Sequence, residues 1–207
     1  MNHAEWRKDR LDWNVLPAHP MDLFGVWHRA ARETEPWHAG AMVLATAGSA
    51  CGPSARVVLM RGFDACGIRF YTNYESRKGV ALAENPKCAV VFWWPSQVRQ
   101  IRVEGVVQRL PRAESEAYFA GRPRGSQLGA WSSPQSQPIE DVAVLESKYG
   151  EIAATFEGQP VACPPHWGGY LLQPQQMEFW QGGKDRLHDR AVYVQHATGW
   201  RIERLAP

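Results

Sequence analysis

Short runs of apolar and β-branched residues, separated by turn-forming residues, recur along most of the 207-residue chain. In the run 99–110, Ile101 and Val103 alternate with Arg102 and Glu104, which is typical of a strand in a sheet with one solvated face. The other predicted strands are residues 41–46, 55–63, 68–73 and 88–94, followed by GGYLLQP, QMEFW, RAVYVQ and WRIERLAP. Many short strands with few helices between them predict the α+β class, with a mostly antiparallel β-barrel and flanking helices.

Helical patterns are sparse. Apolar residues recur with helical spacing from Asp22, a suitable capping residue, to about Glu33. Ser76 is placed to cap a short helix that ends before Pro86. Two more helices are predicted, at residues 112–121 and at 139–156 with Val142, Leu145 and Tyr149 on one face.

The remaining segments predict the domain organisation. Residues 122–138 are rich in Pro, Gly, Ser and Gln, and this composition predicts a long loop. Residues 1–20 are polar and contain Pro17 and Pro20, which predicts a flexible N-terminal arm. Residues 21–207 are expected to form a single domain, since their length suits one core.

Composition and motifs exclude several classes of protein. A chain with 44% apolar and 21% charged residues is typical of globular proteins, and a net charge of +2 with scattered cations gives no nucleic-acid footprint. No apolar run approaches the roughly 18 residues of a membrane span, and the first residues lack an apolar signal region, so we expect a cytoplasmic protein. The four cysteines have no metal-ligand spacing, and no strand leads into a dinucleotide or P-loop turn.

Cations are placed where they can bind anions. Eighteen of the 23 basic residues are arginine, which suits bidentate binding of phosphate, although a GC-rich genome gives the same bias. Arg56 and Arg61 bracket an apolar run and either face an anion or simply mark the ends of a strand. Ser76, Arg77 and Lys78 begin a helix, where free N–H groups and two cations form a phosphate cradle, or a serine cap with two solvated cations.

A second donor set follows the predicted helix 112–121. Tyr118 and Arg122 share a helix face and Ser126 comes next, which is the donor set for a second phosphate or else a surface helix end. If residues 186–190 are extended, Arg186, His188 and Arg190 project from one face, which is electrostatically costly unless they meet an anion. An isolated histidine is more often structural, but this arrangement favours a functional site. Together these residues indicate a ligand or ligands with two phosphates and flat rings, and they do not name a flavin.

Several segments are more specific: RVVLMR at 56–61, FYTNYESRKG at 70–79, RQIRVEG at 99–105, YFAGRPRGSQLGAWSSPQS at 118–136, and EFWQGGKDRLHDR at 178–190 with a terminal RIERLAP. Through them the chain resembles the pyridoxine (pyridoxamine) 5′-phosphate oxidase family over about residues 16–207. The resemblance implies an FMN-binding split barrel and a homodimer with FMN at the subunit interface.

The resemblance also implies roles for individual residues. FMN contacts are implied in one chain for Arg56, Val57, Val58, Leu59, Met60, Arg61, Tyr71, Thr72, Arg77, Lys78 and Gln100. The same FMN is implied to meet Gln135, Ser136, Trp180 and Arg190 from the other chain. The substrate phosphate is implied to meet Arg61, Tyr118, Arg122 and Ser126, and the substrate ring to meet Arg186, Leu187 and His188, of which Arg186 and His188 are the catalytic pair.

The implied reaction is oxidation of pyridoxine or pyridoxamine 5′-phosphate at C4′ to pyridoxal 5′-phosphate. Dioxygen is the acceptor and gives hydrogen peroxide, with ammonia released from the amine. Arg61 stands where the family usually has Lys, which predicts altered substrate affinity with FMN retained. The arm also lacks the Arg-Arg-Glu-Tyr stretch of relatives. The alternatives are a phenazine-pathway FMN oxidase on the same scaffold and a flavin- or B6-binding protein without turnover.

Overall fold

A computed structural model describes residues 10–48 and 52–207. Within them, nine strands form one sheet in which every pair of neighbours is antiparallel. The strands are β1 (Ala41–Ala47), β2 (Pro53–Leu59), β3 (Gly62–Asp64), β4 (Gly67–Asn73), β5 (Lys87–Trp94), β6 (Arg99–Arg109), β7 (Trp167–Gln181), β8 (Asp189–His196) and β9 (Gly199–Arg204). Their order is β2-β1-β5-β6-β7-β4-β3, with β8 between β7 and β9.

Strand β7 is the branch point of the sheet. From Tyr170 to Gln181 it pairs with β6 along one edge, while its other edge pairs first with β4 and then with β8. The sequence predicted two strands here, GGYLLQP and QMEFW, but the chain runs through Pro174 as one strand. A register shift at Glu104/Gly105 accommodates the proline, and a Cβ on Gly105 would lie 2.0 Å from the Gln173 carbonyl oxygen. The curled, branched sheet confirms the predicted antiparallel split barrel of the α+β class.

Alternation along the strands builds the core. In β5 the residues Val90, Phe92 and Trp94 are fully buried and alternate with more exposed neighbours. Helix α1 (Pro20–Thr34) closes the core by packing Phe24 edge-on to Phe92, with the ring centroids 5.2 Å apart. The inner face of the barrel is therefore a packed aromatic core, and binding groups must lie at its rim or on its outer face.

The helices are α1, α2 (Arg77–Glu84), α3 (Arg112–Ala120), α4 (Arg124–Ser132) and α5 (Val142–Thr155), with 3₁₀ turns at Pro95–Gln97 and Lys184–Arg186. Four of these five helices correspond to predicted ones, and α4 was not predicted. Helix α1 begins before the predicted cap Asp22, because the His19 ring nitrogen Nδ1 accepts a hydrogen bond from the Met21 amide at 3.2 Å. No helix in the described part of the chain is long and apolar enough to cross a membrane.

The predicted long loop 122–138 is wrong, since most of it is helix α4. Pro123 directly precedes the helix, where its fixed φ and missing N–H are compatible with a helix start. Gln127 and Leu128 are buried, and the side-chain nitrogen Nε2 of Gln127 donates to the Phe119 carbonyl at 2.9 Å. Packing against α5 and the hydrogen bond to α3 therefore outweigh the low helix propensity of Gly and Ser in this stretch.

The described part of the N-terminal arm lies against the sheet. Pro17 accepts a hydrogen bond from the buried Tyr193 hydroxyl at 3.0 Å, and Arg10 forms an ion pair with Asp189 at 2.7 Å. Residues 1–9 of the predicted arm lie outside the described residues, and its flexibility stays a prediction.

Candidate active site

A cationic cluster lies where β4 leads into α2. The Lys78 ammonium donates to Thr72 Oγ1 at 2.9 Å, Ser76 Oγ at 3.1 Å and Gln135 Oε1 at 2.7 Å. Burial, and to a lesser extent the neighbouring charge of Arg56, lowers the pKa of Lys78 to about 8. The cluster therefore holds a desolvated cation whose charged form would be stabilised by an anion.

Two more cations belong to this cluster. Arg56 Nη1 donates to the Leu44 carbonyl at 3.0 Å and to Thr46 Oγ1 at 2.9 Å, which fixes its guanidinium at the rim of the barrel. Arg77 is exposed at the first position of α2, where Ser76 Oγ accepts from the Gly79 amide and a helix N-terminus favours an anion. Three cations around a helix N-terminus provide the donors that a phosphate monoester requires, so the cluster fits the phosphate of FMN.

The remaining predicted residues of β2 and the α4–α5 connection take different positions. Val57 and Leu59 are exposed on the outer face of the sheet, whereas Val58 and Met60 pack against the core. Ser136 is exposed, with a left-handed φ of 73°, next to Gln135.

A stack of three aromatic rings forms a second cluster. Tyr71 and Tyr118 lie parallel with their centroids 3.8 Å apart, and Trp167 stacks 5.6 Å from Tyr71. The Arg122 guanidinium lies 4.6 Å from the centre of the Trp167 ring, and its buried Nη1 has no hydrogen-bond partner in the described residues. Burial lowers the pKa of Arg122, and the charge of Arg61 adds to this effect. A half-buried guanidinium whose buried Nη1 has no partner among the described residues is costly, so this geometry favours an anionic ligand.

Other predicted members of this phosphate site lie at its edge. Ser126 is exposed in the first turn of α4, and Arg61 is exposed beyond the end of β2. The effect of Arg61 on substrate affinity stays a prediction. Arg124 donates to the carbonyls of Phe156 at 2.7 Å and Gln159 at 2.9 Å, so its guanidinium is used structurally.

The third cluster surrounds Trp180 on β7. The His188 ring lies 4.5 Å from the Trp180 ring, and His188 Nδ1 accepts a hydrogen bond from the Gly183 amide at 3.2 Å. Burial lowers the pKa of His188, and the charges of Arg186 and Arg190 act in the same direction. His188 is therefore neutral near pH 7, and because Nδ1 accepts, its proton is on Nε2.

A buried carboxylate organises the same cluster. Glu178 is 4% exposed and accepts from Arg190 Nε at 2.8 Å and from Arg102 Nη1 at 3.1 Å. Arg190 Nη1 also donates to the Ala206 carbonyl at 2.8 Å, which fixes the C-terminal segment. The guanidinium of Arg190 is thus held rigidly by both contacts.

The segment before β8 differs from the prediction. We predicted that residues 186–190 could be extended, but Lys184–Arg186 form a 3₁₀ turn and β8 begins only at Asp189. Asp185 and Arg186 have left-handed φ values of 55° and 63°. The side chains of Arg186, His188 and Arg190 therefore do not follow the two-residue alternation of a strand, and Arg186 and Leu187 are exposed.

The three clusters occupy two regions of one chain. Adjacent residues of β4 reach the first two clusters, Thr72 the cation cluster and Tyr71 the aromatic stack. Thr72 pairs with Gly168 of β7, whereas Trp180 lies twelve residues further along that strand, about 40 Å at the ordinary strand rise. The structure also groups the predicted residues differently, since Gln135 contacts Lys78 within one chain and Gln100 lies directly opposite Trp180.

Some residues of these clusters were missed by sequence reasoning. Glu178 and Trp167 are buried residues of β7 that contact predicted site residues. Asp189 is a buried residue of β8 that lies between the predicted residues His188 and Arg190 in sequence. A carboxylate within an apolar strand, as in MEFW, is a signal for a buried ion pair that could have identified Glu178.

Comparison with known sequences gives two family matches. Residues 29–156 match the family described as pyridoxamine 5′-phosphate oxidase, and residues 167–207 match the pyridoxine 5′-phosphate oxidase C-terminal dimerisation region. A pyridoxine/pyridoxamine 5′-phosphate oxidase of Rubrobacter xylanophilus is 50% identical over 188 residues, which cover 91% of this chain and 87% of that protein. One from Acaryochloris marina is 46% identical over 203 residues, covering 98% and 93%.

Solved structures give the same result for the fold. PhzG from Burkholderia lata 383, in complex with tetrahydrophenazine-1-carboxylic acid, superposes with a TM-score of 0.89 at 30% identity, covering 96% of this chain and 98% of PhzG. A pyridoxamine 5′-phosphate oxidase-related, FMN-binding protein of Nostoc punctiforme has a TM-score of 0.73 at 18% identity, covering 93% of this chain and 100% of that one. At this identity the second likeness concerns the fold alone.

Proposed function

The chain belongs to the pyridoxamine 5′-phosphate oxidase family, and from this membership we propose that it oxidises pyridoxine and pyridoxamine 5′-phosphates to pyridoxal 5′-phosphate with FMN as cofactor. Pyridoxine 5′-phosphate and dioxygen give the aldehyde and hydrogen peroxide. Pyridoxamine 5′-phosphate, dioxygen and water give the aldehyde, ammonia and hydrogen peroxide. Both reactions act at C4′ and leave the substrate phosphate unchanged.

The observation that carries the choice of substrate is the unsatisfied guanidinium of Arg122. Its buried Nη1 and the aromatic stack beside it suit a ligand that combines a phosphate with a flat ring. In our proposal Arg122 binds the substrate phosphate, with Tyr118, Ser126 and Arg61 as further donors at the same group. The charge of Arg61 already acts on Arg122, which supports a shared anion.

The cation cluster holds the phosphate of FMN in this proposal. Lys78, Arg77, Arg56 and the N–H groups of α2 bind it, and Thr72, Ser76 and Gln135 orient the Lys78 ammonium. Bound FMN supplies the two-electron redox chemistry and the reactivity toward dioxygen. The protein contributes binding, orientation and positive charge near the ring system.

Residues of the third cluster complete the site. His188 is neutral and carries its proton on Nε2, so it donates a hydrogen bond toward the substrate ring. Arg186 adds a cation beside it, and Arg190, fixed by Glu178, faces the flavin together with Trp180 and Gln100.

The protein is a homodimer, because its C-terminal part belongs to the family's dimerisation region. We place FMN at the subunit interface, with the Lys78 cluster of one chain facing the Trp180 cluster of its partner, because the two are far apart along β7 within one chain. In this arrangement Gln135 acts with Lys78, and Gln100 with Trp180.

Three described cysteines, Cys66, Cys88 and Cys163, are free thiols, which supports a cytoplasmic location.

The test is oxidation in air by the purified, FMN-loaded protein. We expect pyridoxal 5′-phosphate and hydrogen peroxide in equal amounts from pyridoxine 5′-phosphate. Unphosphorylated pyridoxine is the matched control, and its kcat/KM should be lower by on the order of 10³, since two or more charge-assisted hydrogen bonds are lost. A yellow protein that oxidises tetrahydrophenazine-1-carboxylic acid, and neither phosphorylated vitamer, would contradict the proposal.

A further inference from the structure

The segment that carries the proposed substrate residues is strained and exposed. Asp185 and Arg186 have left-handed backbone conformations, which side chains other than glycine disfavour. Leu187 is 59% exposed, so apolar packing contributes little to holding the segment. Its conformation therefore depends on contacts at its two ends.

At the start of this segment two backbone amides fix the chain. The Gly182 amide donates to the Val98 carbonyl at 2.9 Å, and the Gly183 amide donates to His188 Nδ1 at 3.2 Å. A Cβ on Gly183 would lie 2.1 Å from the Leu187 carbonyl oxygen, so the two ends of the segment approach closely.

At its other end the segment is fixed by the N-terminal arm. Asp189, the first residue of β8, is 4% exposed and accepts from Arg10 Nε at 2.7 Å and Nη2 at 2.9 Å. The Leu11 amide donates to the same carboxylate at 3.1 Å. Asp189 directly follows His188, so we expect a shift of its carboxylate to alter the backbone that carries the His188 ring, whereas Arg190 keeps its own contacts with Glu178 and Ala206.

The two partners of this ion pair differ in exposure. The Asp189 side chain is 3% exposed and that of Arg10 is 60% exposed. Arg10 thus supplies from the surface the charge that a buried carboxylate requires. If Arg10 is removed, the charge of Arg204 still lowers the pKa of Asp189. The Arg204 guanidinium lies 4.0 Å from the centre of the Trp13 ring.

We propose that Arg10 is a positioning residue for substrate binding, because its bidentate ion pair with Asp189 holds residues 183–190 in the conformation that presents Arg186 and His188. This inference rests on the proposed function of that segment. It assigns to the N-terminal arm a defined contact with the site.

The test compares Arg10→Ala and Arg10→Lys with Arg201→Ala in the full-length, FMN-loaded protein. Arg201 is a matched control, since its side chain is also 60% exposed and is paired with a carboxylate, Glu203, on β9. In Arg10→Ala we expect KM for pyridoxine 5′-phosphate to rise by about tenfold with a smaller change in kcat, because the segment is misplaced and the cofactor is retained. Arg10→Lys should restore KM to within about threefold of the parent, and Arg201→Ala should match the parent.

Amide hydrogen exchange provides a readout that does not depend on turnover. We expect faster exchange at residues 183–190 in Arg10→Ala than in Arg201→Ala. Unchanged exchange there, or a KM no higher than that of Arg201→Ala, would overturn the inference, as would a Lys variant no better than Ala. If the parent protein does not oxidise the phosphorylated vitamers, the proposed function fails, while the exchange comparison still decides whether Arg10 holds the segment.

Discussion

Lys78 is the residue whose charge state most directly links the site to pH. Its pKa of about 8 means that the ammonium loses its proton just above neutral pH when FMN is absent. A phosphate beside it raises that pKa, so binding above pH 8 requires proton uptake. The affinity contributed by this group is therefore complete below about pH 7 and falls as the pH rises through 8.

We therefore expect the Kd of the FMN-free protein for FMN to rise by about tenfold between pH 7 and pH 9. Flavin fluorescence quenching measures this directly. Lys78→Met should bind FMN more weakly at pH 7 and lose most of the pH dependence. Lys87→Met removes an exposed lysine of β5 and should behave like the parent. A parent Kd that does not change over this range would contradict the assignment.

Arg122 lowers the stability of the ligand-free protein and, in our proposal, binds the substrate phosphate. Its guanidinium is desolvated without a full set of hydrogen bonds, so the charge destabilises the ligand-free protein. We expect Arg122→Met to raise the free energy of unfolding by about 1 kcal/mol, a Tm increase of roughly 2–4 °C. The same variant should raise KM for pyridoxine 5′-phosphate on the order of 100-fold.

Arg124→Met is the matched control for this prediction. Arg124 is two residues away, but its guanidinium binds the Phe156 and Gln159 carbonyls. Its replacement should lower the Tm and leave KM unchanged, the opposite pattern. Thermal denaturation and steady-state kinetics of both variants check the pair of predictions. A parental KM in Arg122→Met would remove Arg122 from the phosphate site.

At the level of elements, the turn before β8 depends on one glycine. A Cβ on Gly183 would lie 2.1 Å from the Leu187 carbonyl oxygen, and this contact involves backbone that cannot rotate away. Gly183→Ala should therefore displace the segment and break the bond to His188, lowering kcat/KM by roughly 10- to 100-fold. Gly129→Ala in α4, where a Cβ meets no described residue within 4 Å, should leave kcat/KM unchanged and stabilise the protein by up to about 1 kcal/mol. Equal kinetics in both variants would show that the turn is not required.

Local patterns predicted most elements because alternation and capping are encoded within a few residues. Ser76 caps α2 as expected, and β6 alternates as its sequence indicates. Helix α4 and the turn at Lys184–Arg186 were not predictable in this way. The first depends on packing of α4 against α5 and on the hydrogen bond from Gln127 to Phe119, and the second on contacts with distant segments, so neither conformation is determined locally.

The grouping of residues in the candidate site also depends on contacts between distant parts of the chain. The cations Lys78, Arg122 and Arg190 were identified from residue type and motif. Their grouping was not, because the contact of Lys78 with Gln135 joins residues 57 positions apart. The resemblance to a family named the residues, and only the fold shows which of them share a region.

For the whole molecule, the outer face of the sheet requires a partner. Val43 and Val57 are 41% and 66% exposed and lie opposite each other on β1 and β2. Trp93, on β5, is 45% exposed and lies 6.1 Å from the Trp180 ring. This apolar face is continuous with the Trp180 cluster, so we expect the homodimer contact to bury it and to complete the proposed flavin site.

Val43→Glu should therefore separate the subunits and release the cofactor together. Burying a carboxylate in place of a valine costs at least about 3 kcal/mol, roughly a hundredfold in the dimer Kd, and two-fold symmetry applies the change twice. Light scattering should give the mass of one 23.3 kDa chain, with flavin absorbance falling in proportion. Val26→Glu, at a 58% exposed position on α1, is the control and should remain dimeric and yellow. A dimeric Val43→Glu with full flavin content would place the interface elsewhere, whereas a monomer that keeps its flavin would show that one chain completes the site.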